Sequence, residues 1–135
     1  MKSSGLNDPR LSVIDKRLYS VKRIIAVMSS KGGVGKTIIA TTLSLALKDR
    51  GFKTALLDLD FTNPSTHIVL GVNPLTLKPV EDKGINPPEI NGLKYLSITM
   101  FTGDKPLPLR GESVDNLFRE LLAITRWGVV DYLIV

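Results

Sequence analysis

The sequence predicts an α/β fold in which a largely parallel sheet is flanked by helices. Short apolar runs alternate along the chain with stretches of helical periodicity, and a glycine-dense turn joins the first firm run to a long helix. Strands that alternate with helices in this way pair in parallel through right-handed crossovers. The chain has 135 residues, 43% of them apolar and 23% charged, which suits one globular domain.

The first two elements precede the glycine-dense turn. A short helix over residues 9–19 is predicted, because Asp8 is suited to an N-cap and Pro9 to a first helical turn. The run 24–28 is continuous, apolar and rich in β-branched residues. Such a run is typical of a strand that is buried on both faces of a parallel sheet.

A helix over residues 36–50 is predicted next, with Gly51 placed to end it. Its apolar stripe at helical spacing consists of Ile39, Leu43, Ala46 and Leu47. A second buried strand over residues 54–58 completes a strand–helix–strand unit.

The second half of the chain begins with a segment in which prolines and glycines interrupt every periodic pattern. Residues 71–93 are therefore expected to form a long surface loop. A third strand over 95–99, a helix over 113–125 and a fourth buried strand over 129–135 follow. The last strand is expected to lack a neighbour and to expose an edge.

Composition and charge exclude several classes of protein. The absence of cysteine excludes a disulfide framework and thiolate metal ligands, and together with the lack of an apolar N-terminal run it favours a cytoplasmic location. The longest uncharged stretch, residues 61–77, contains prolines and polar residues, so no transmembrane segment is expected. Residues 1–36 carry eight Lys or Arg and two Asp. Because Tyr19 alone interleaves with these charges, a solvated basic arm is favoured over nucleic-acid binding.

A glycine-rich segment lies between the first predicted strand and the long helix. Glycines there let successive backbone N–H groups turn toward phosphate oxygens, and the helix N-terminus adds its dipole. Lys36 would reach the β- and γ-phosphates as a positive charge, and the Thr37 hydroxyl would bind the bridging magnesium ion. The residues predicted to bind nucleotide are Ser30, Lys31, Gly32, Gly33, Val34, Gly35, Lys36 and Thr37.

The segment 31–37 resembles the deviant Walker A motif of the P-loop ATPase family that includes MinD, ParA, the nitrogenase iron protein and the Mrp/ApbC proteins. Ser30 stands where the general P-loop pattern has glycine, and Lys31 is an additional lysine. The resemblance implies Mg²⁺-dependent ATP hydrolysis by a homodimer with nucleotide at its interface. Lys31 would then contact the phosphates bound by the partner, where added positive charge stabilises the transition state.

Two aspartates follow the second predicted strand, at the sheet edge where ligands of α/β proteins bind. The resemblance implies that Asp60 is the switch I aspartate, which contacts the magnesium shell and orients the attacking water, and that Asp58 is more structural. Residues 61–65 would be the switch loop, and His67 is expected on a helix surface or in packing rather than as a ligand. The predicted catalytic residues are Lys31, Lys36 and Asp60, and the predicted Mg²⁺ ligands are Thr37 and Asp60.

Further segments resemble the Mrp/ApbC branch, the ATP-dependent iron–sulfur cluster carriers. These segments are Pro64-Ser65 with Leu70-Gly71, Leu109-Arg110-Gly111, and the run from Trp127 to Val135. Trp127 is expected to be a large core or interface residue, and Arg110 suits phosphate contact and a surface position equally. The resemblance covers residues 21–72 and 93–135 and leaves a basic extension, residues 1–20, unmatched.

The resemblance also implies that residues 21–135 correspond to the N-terminal part of a P-loop NTPase domain, so the chain is either a fragment of a longer protein or a naturally truncated form, and ATP hydrolysis is expected of the intact protein. In the family, the last strand runs into an aspartate and a Pro-Pro-Gly switch II segment, and a later Cys-x-x-Cys pair holds the cluster. Any iron–sulfur cluster would therefore be held by residues outside this sequence, and the expected clients are iron–sulfur apo-proteins.

Two other functions remain open. One is a ParA/MinD-like positioning ATPase acting on DNA or membrane, and the other is a non-catalytic nucleotide-binding module. Kinase activity is disfavoured because Lys31 has no role in a monomeric kinase.

Overall fold

Helices and strands alternate along the chain in the computed structural model, which describes residues 9–28, 34–60, 65–73, 76–98, 100 and 111–135. Of residues 34 and 111–115 it describes the backbone alone. Helices α1 to α4 comprise Arg10–Leu18, Val34–Asp49, Thr66–Leu70 and Gly111–Ile124. Strands β1 to β7 comprise Val21–Ile25, Thr54–Asp58, Val80–Glu81, Ile85–Asn86, Glu89–Ile90, Leu93–Ser97 and Val130–Ile134.

The main sheet has the strand order β1-β7-β2-β6-β5. All its neighbouring strands are parallel except β5 and β6, which form an antiparallel pair. Leu56 lies at the centre, in register with Tyr95 of β6 and Ile134 of β7. This arrangement confirms the predicted α/β fold with a mostly parallel sheet.

The core is centred on β2. All five residues of this strand are buried, which is typical of a strand that is covered on both faces of a parallel sheet. Trp127, Tyr95 and Leu133 are among the largest fully buried side chains around it. Among the described residues, none of the helices combines the length and the apolar character that a transmembrane span requires.

The positions of the first and last strands correct two predictions. β1 begins and ends three residues before the predicted run 24–28 and is not buried on both faces, since none of its residues is fully buried and Ile24 is 52% exposed. In the described sheet β1 pairs only with β7, whereas β7 lies between β1 and β2. The expectation that the last strand lacks a neighbour and exposes an edge is therefore wrong, because β7 lies between two strands that precede it in the sequence.

The buried face of α2 matches the predicted apolar stripe only in part, since Leu43 and Leu47 of that stripe pack against the core. Ile39 is 59% exposed, whereas the buried positions are Thr37, Ala40, Thr41 and Ser44. The hydroxyls of Thr41 and Ser44 donate to helix carbonyls one turn earlier, each at 2.8 Å. Because these hydroxyls are satisfied within the helix, the small side chains can be buried at low cost. Gly51, at φ +93°, follows the helix as predicted.

The region 71–93 is not a featureless surface loop. It contains β3, β4 and β5, and Ile85 of β4 is buried in the core. Each of these strands is only two residues long, so none shows a periodic pattern among the surrounding prolines and glycines, and the sequence does not reveal them. β6 and α4 each begin two residues earlier than predicted.

Helix α1 is packed against α4 and is not a solvated arm. Arg10 donates to the side-chain and backbone oxygens of Asn116 at 3.1 and 3.2 Å, and Arg17 donates to the carbonyl of Ala123 at 3.0 Å. The helix begins at Arg10 with Pro9 at its N-cap, one residue later than predicted. Asp8, the predicted cap, lies outside the described residues.

Candidate functional site

A cavity of about 550 Å³ opens at the carboxyl edge of the sheet. It lies where β1, β2 and β7 end and α2 begins, the position at which ligands bind in open α/β sheets. Its lining residues are Ala26, Val27, Met28, Lys36, Thr37, Ala40, Leu56, Leu57, Asp58, Leu59, Asp60, Thr66, Phe118 and Val135. We call this space the edge cavity.

Lys36 supplies positive charge to the edge cavity from the first turn of α2. Its Nζ lies 3.8 Å from Oδ2 of Asp60, and both side chains are about 30% exposed. Because this ion pair is partly exposed, water screens the attraction between the two charges and the interaction is weak. An anionic ligand at the N-terminus of α2 can therefore recruit the ammonium group away from the carboxylate without breaking a strong interaction.

Thr37 and Ser65 place two hydroxyl groups together beside Lys36. The Thr37 side chain is buried, and its Oγ1 lies 2.8 Å from Oγ of Ser65, which precedes α3. Hydroxyl and carboxylate oxygens are the ligands that Mg²⁺ prefers, and the ion takes its remaining ligands from water and phosphate. The oxygens of Thr37 and Asp60 at one cavity therefore fit a magnesium ion.

Asp58 is a buried carboxylate that lines the same cavity. Its Oδ2 accepts hydrogen bonds from the Thr66 hydroxyl at 2.6 Å and from the Thr66 backbone N–H at 3.2 Å. Its Oδ1 accepts the backbone N–H of Asp60 at 3.0 Å. The carboxylate thus ties the end of β2 to the beginning of α3.

Tyr95 continues this network into the core. Its hydroxyl lies 2.7 Å from Oγ1 of Thr66, and the residue is completely buried on β6. Burial raises the pKa of Tyr95 to about 12, against the smaller opposite effects of its hydrogen bonds to Thr66 and Ser97. The group therefore keeps its proton throughout the neutral range.

The structure brings Lys36, Thr37 and Asp60 to one cavity, as the sequence predicts. Gly35 lies in the first turn of α2, and a Cβ added there would meet nothing within 4 Å. Val34 begins the helix. The predicted residues Ser30, Lys31, Gly32 and Gly33 lie outside the described residues, as do Phe61 to Pro64 of the switch loop and Arg110. The roles assigned to all these residues stay predictions.

Other residues at the site were missed or placed differently by sequence reasoning. Thr66, Tyr95 and Phe118 had no predicted role, although Thr66 directly follows the predicted switch loop. Tyr95 is 29 positions from Thr66, and nothing in its local pattern announces the contact. His67 is buried, so of its two expected positions packing is confirmed and the helix surface is wrong.

A family model built from known proteins matches most of this chain. It covers residues 20–135 and describes, within the ParA group, the NUBPL iron-transfer P-loop NTPase. An iron–sulfur cluster carrier protein of Aquifex aeolicus is 38% identical over 122 residues, which are 89% of this chain and 34% of that protein. A cytosolic Fe-S cluster assembly factor Nubp2 homologue of Drosophila melanogaster is 37% identical over 87% of this chain and 47% of its own length.

A solved structure shares the fold. It is a nucleotide-binding protein of Archaeoglobus fulgidus in complex with ADP, with a TM-score of 0.75 and 32% identity over 91% of this chain and 47% of that one. These matches confirm both the P-loop fold and the resemblance to the iron–sulfur cluster carriers. The chain spans about a third to a half of the length of these relatives.

Proposed function

Because the chain belongs to the family of NUBPL-type iron-transfer P-loop NTPases, we propose that it binds ATP and Mg²⁺ in the edge cavity. One observation carries this proposal. Lys36, Thr37 and Asp60 come from two separate stretches of sequence, yet they line the same cavity beside the N-terminus of α2. The phosphates would lie against the first turn of that helix, where backbone N–H groups and the helix dipole favour anions.

Each of these residues has a distinct task in the proposal. Lys36 leaves Asp60 and contacts the β- and γ-phosphates, so the carboxylate becomes available to the metal. Thr37 and Asp60 hold Mg²⁺, which when bound neutralises charge on the phosphate oxygens. Asp60 also orients the attacking water, the role that the family resemblance implies. Asp58 holds the Asp60 backbone through its hydrogen bond of 3.0 Å.

For the whole protein we propose ATP hydrolysis in the service of iron–sulfur cluster assembly in the cytoplasm. The relatives named as carriers and assembly factors support this choice over a ParA/MinD-like positioning ATPase. The cluster is cargo for apo-protein clients, and its cysteine ligands would come from beyond these residues, which contain none. Residues 1–20 would be an extension to the NTPase domain.

A homodimer with Lys31 acting on the partner's nucleotide completes the proposal. The additional lysine in the segment 31–37 supports it, since a second positive charge can stabilise the charge of the transition state. Phosphate release that rises more steeply than linearly with protein concentration would support this dimer, and a strictly linear dependence would contradict it.

The test is nucleotide affinity measured calorimetrically with Mg·ATP. Replacement of Lys36 by Ala removes a charged hydrogen-bond donor, so affinity should fall by about 10- to 100-fold. Lys22→Ala is the matched control, because Lys22 is an exposed lysine on β1. Equal affinity of the Lys36→Ala variant and the unaltered chain would contradict the site. Binding by the whole protein without phosphate release would favour the non-catalytic module.

A further inference from the structure

We propose that the Tyr95 hydroxyl is a positioning group for the Mg²⁺–nucleotide site, acting through Thr66 and Asp58. This inference rests on the proposed function and names a residue that touches neither nucleotide nor metal. Tyr95 lies on β6, separated from the edge cavity by Thr66 and Asp58, both of which line it.

The direction of each hydrogen bond in the network follows from the chemistry of its members. A carboxylate accepts hydrogen bonds and donates none, so the Thr66 hydroxyl spends its single proton on Asp58, 2.6 Å away. The same hydroxyl can then only accept from Tyr95, at 2.7 Å. With its single proton directed at Thr66, Tyr95 can only accept from Ser97, its other hydrogen-bond partner, so the chain of hydrogen bonds runs one way and ends on the carboxylate.

Burial keeps this donor in place. Tyr95 has no exposed surface, and its pKa of about 12 means that the hydroxyl retains its proton at every pH at which the protein would operate. A hydroxyl without a partner in such a position would be costly to bury. The interaction with Thr66 removes this cost and at the same time fixes which way the Thr66 hydroxyl points.

The fixed Asp58 carboxylate in turn determines the positions of two groups of the site, Asp60 and Ser65. Asp58 accepts the Asp60 backbone N–H through one oxygen and the Thr66 backbone N–H through the other, at 3.0 and 3.2 Å. Ser65, the residue before Thr66, contacts the Thr37 hydroxyl at 2.8 Å. Asp60 and Ser65 thus both depend on one carboxylate for their placement relative to Thr37.

A tyrosine that served packing alone would be replaced by phenylalanine without effect on the metal. A positioning tyrosine behaves differently, because small misplacements of a ligand group weaken the geometry that the metal requires. The two roles are therefore separated by the gain in ADP affinity that Mg²⁺ produces. Affinity without Mg²⁺ depends mainly on Lys36 and the α2 N-terminus, and neither Tyr95, Thr66 nor Asp58 makes a hydrogen bond to the Lys36 ammonium group.

The experiment measures ADP binding to the full chain by calorimetry, with Mg²⁺ and with EDTA. In Tyr95→Phe the Mg²⁺-dependent gain should fall by about 3- to 10-fold, the value of one hydrogen bond, while affinity in EDTA stays within about twofold. Tyr132→Phe is the matched control, because Tyr132 packs against Phe52 at the opposite edge of the sheet. Its gain should equal that of the unaltered chain.

A second set of variants tests whether the effect passes through Thr66. It also keeps the proposal testable if Tyr95→Phe folds poorly. Thr66→Val removes the relay hydroxyl and should lower the gain at least as much, whereas Thr66→Ser keeps the hydroxyl and should restore most of it. The double variant Tyr95→Phe/Thr66→Val should be no worse than Thr66→Val alone.

Two results would overturn the proposal. An unaltered Mg²⁺-dependent gain in Tyr95→Phe, or an equal loss with Mg²⁺ and EDTA, would make Tyr95 a packing residue and leave the proposed function standing. No ADP binding by the unaltered chain under either condition would overturn the proposed function and this inference with it.

Discussion

At each end of the parallel strands, the carboxyl edge and the amino edge of the sheet, an aspartate accepts backbone hydrogen bonds, but the surroundings of the two aspartates differ. At the carboxyl edge Asp58 accepts the backbone N–H groups of Asp60 and Thr66 and is 7% exposed. At the amino edge Asp131 accepts the backbone N–H of Lys53 at 2.9 Å and contacts Lys22 Nζ at 3.2 Å. Both carboxylates tie separate strands or helices together, but only Asp58 does so beside a cavity.

The difference shows that hydrogen-bonded aspartates cannot be assigned a role from their bonding alone. The amino edge also includes the fully buried Trp127, whose carbonyl accepts a hydrogen bond from Lys94 near the beginning of β6. Near Asp58 lie Lys36 and Thr37, which can meet a ligand. We therefore expect changes at the amino edge to alter stability alone, and changes at the carboxyl edge to alter Mg²⁺-dependent nucleotide binding as well.

The largest effect is expected at the amino edge. Trp127→Ala empties a completely buried site and should lower the free energy of unfolding by about 3 to 5 kcal/mol. Urea unfolding measures this loss, and Trp127→Phe, which retains an aromatic ring, should lose less. ADP affinity of the folded protein should be unchanged. A Trp127→Phe variant that folds normally but loses Mg²⁺-dependent ADP binding would break the division between the edges.

Asp58→Asn should lower the stability of the fold by an intermediate amount. It should also weaken the Mg²⁺-dependent gain in ADP affinity. The amide group presents N–H donors where the backbone and Thr66 also donate, so at least one buried hydrogen bond is lost, at about 1 to 3 kcal/mol. Thermal unfolding measures the first effect, and ADP titration with and without Mg²⁺ measures the second. Loss of stability with an intact Mg²⁺-dependent gain would place Asp58 in the same structural class as Asp131.

Asp131→Asn should have the smallest effect, and one that depends on pH. The backbone N–H of Lys53, followed by the hydrogen bond from Lys22, holds the pKa of the Asp131 carboxyl below its ordinary value of 3.8. The carboxylate therefore stabilises the fold fully above that value, and the contribution is lost as pH falls through the lowered pKa of the folded state.

The measurement for Asp131→Asn is the midpoint of thermal unfolding from pH 7 to pH 2. The small difference from the unaltered chain at pH 7 should shrink below about pH 4, as the ordinary pKa of the carboxyl implies. ADP affinity at pH 7 should match that of the unaltered chain. A difference in midpoint that is the same at pH 7 and pH 2 would show that the Asp131 charge does not contribute.

Much of the fold could be predicted because its signals are local. The centre of β2, residues 55–57, is an apolar run between Thr54 and Asp58, and residues 54–58 are both the predicted and the observed strand. α2 was predicted to within two residues at its N-terminus, although its buried face consists of Thr37, Ala40, Thr41 and Ser44. Hydroxyls that donate back to their own helix pack as small buried groups, and a count of apolar residues overlooks them.

The candidate site divides in the same way. Lys36 and Thr37 belong to a contiguous motif that can be recognised from its residues and their spacing. Asp60 directly follows a strand that can be predicted from the sequence. Tyr95 and Thr66 carry no motif, and their roles follow only from a contact between strand β6 and helix α3.

The sequence by itself determined the alternation of strands and helices and the mostly parallel sheet, and it predicts a phosphate-binding segment, because each of these signals lies in short contiguous stretches of the chain. Only the tertiary structure decided that β7 lies inside the sheet, that α1 packs on α4, and that Tyr95 reaches Asp58 through Thr66. The pairs that β7 forms and the contact of α1 with α4 join positions 78 to 109 residues apart, and Tyr95 and Thr66 are 29 apart. Their choice depends on how whole elements pack and which buried polar groups find partners, a balance that no local pattern records.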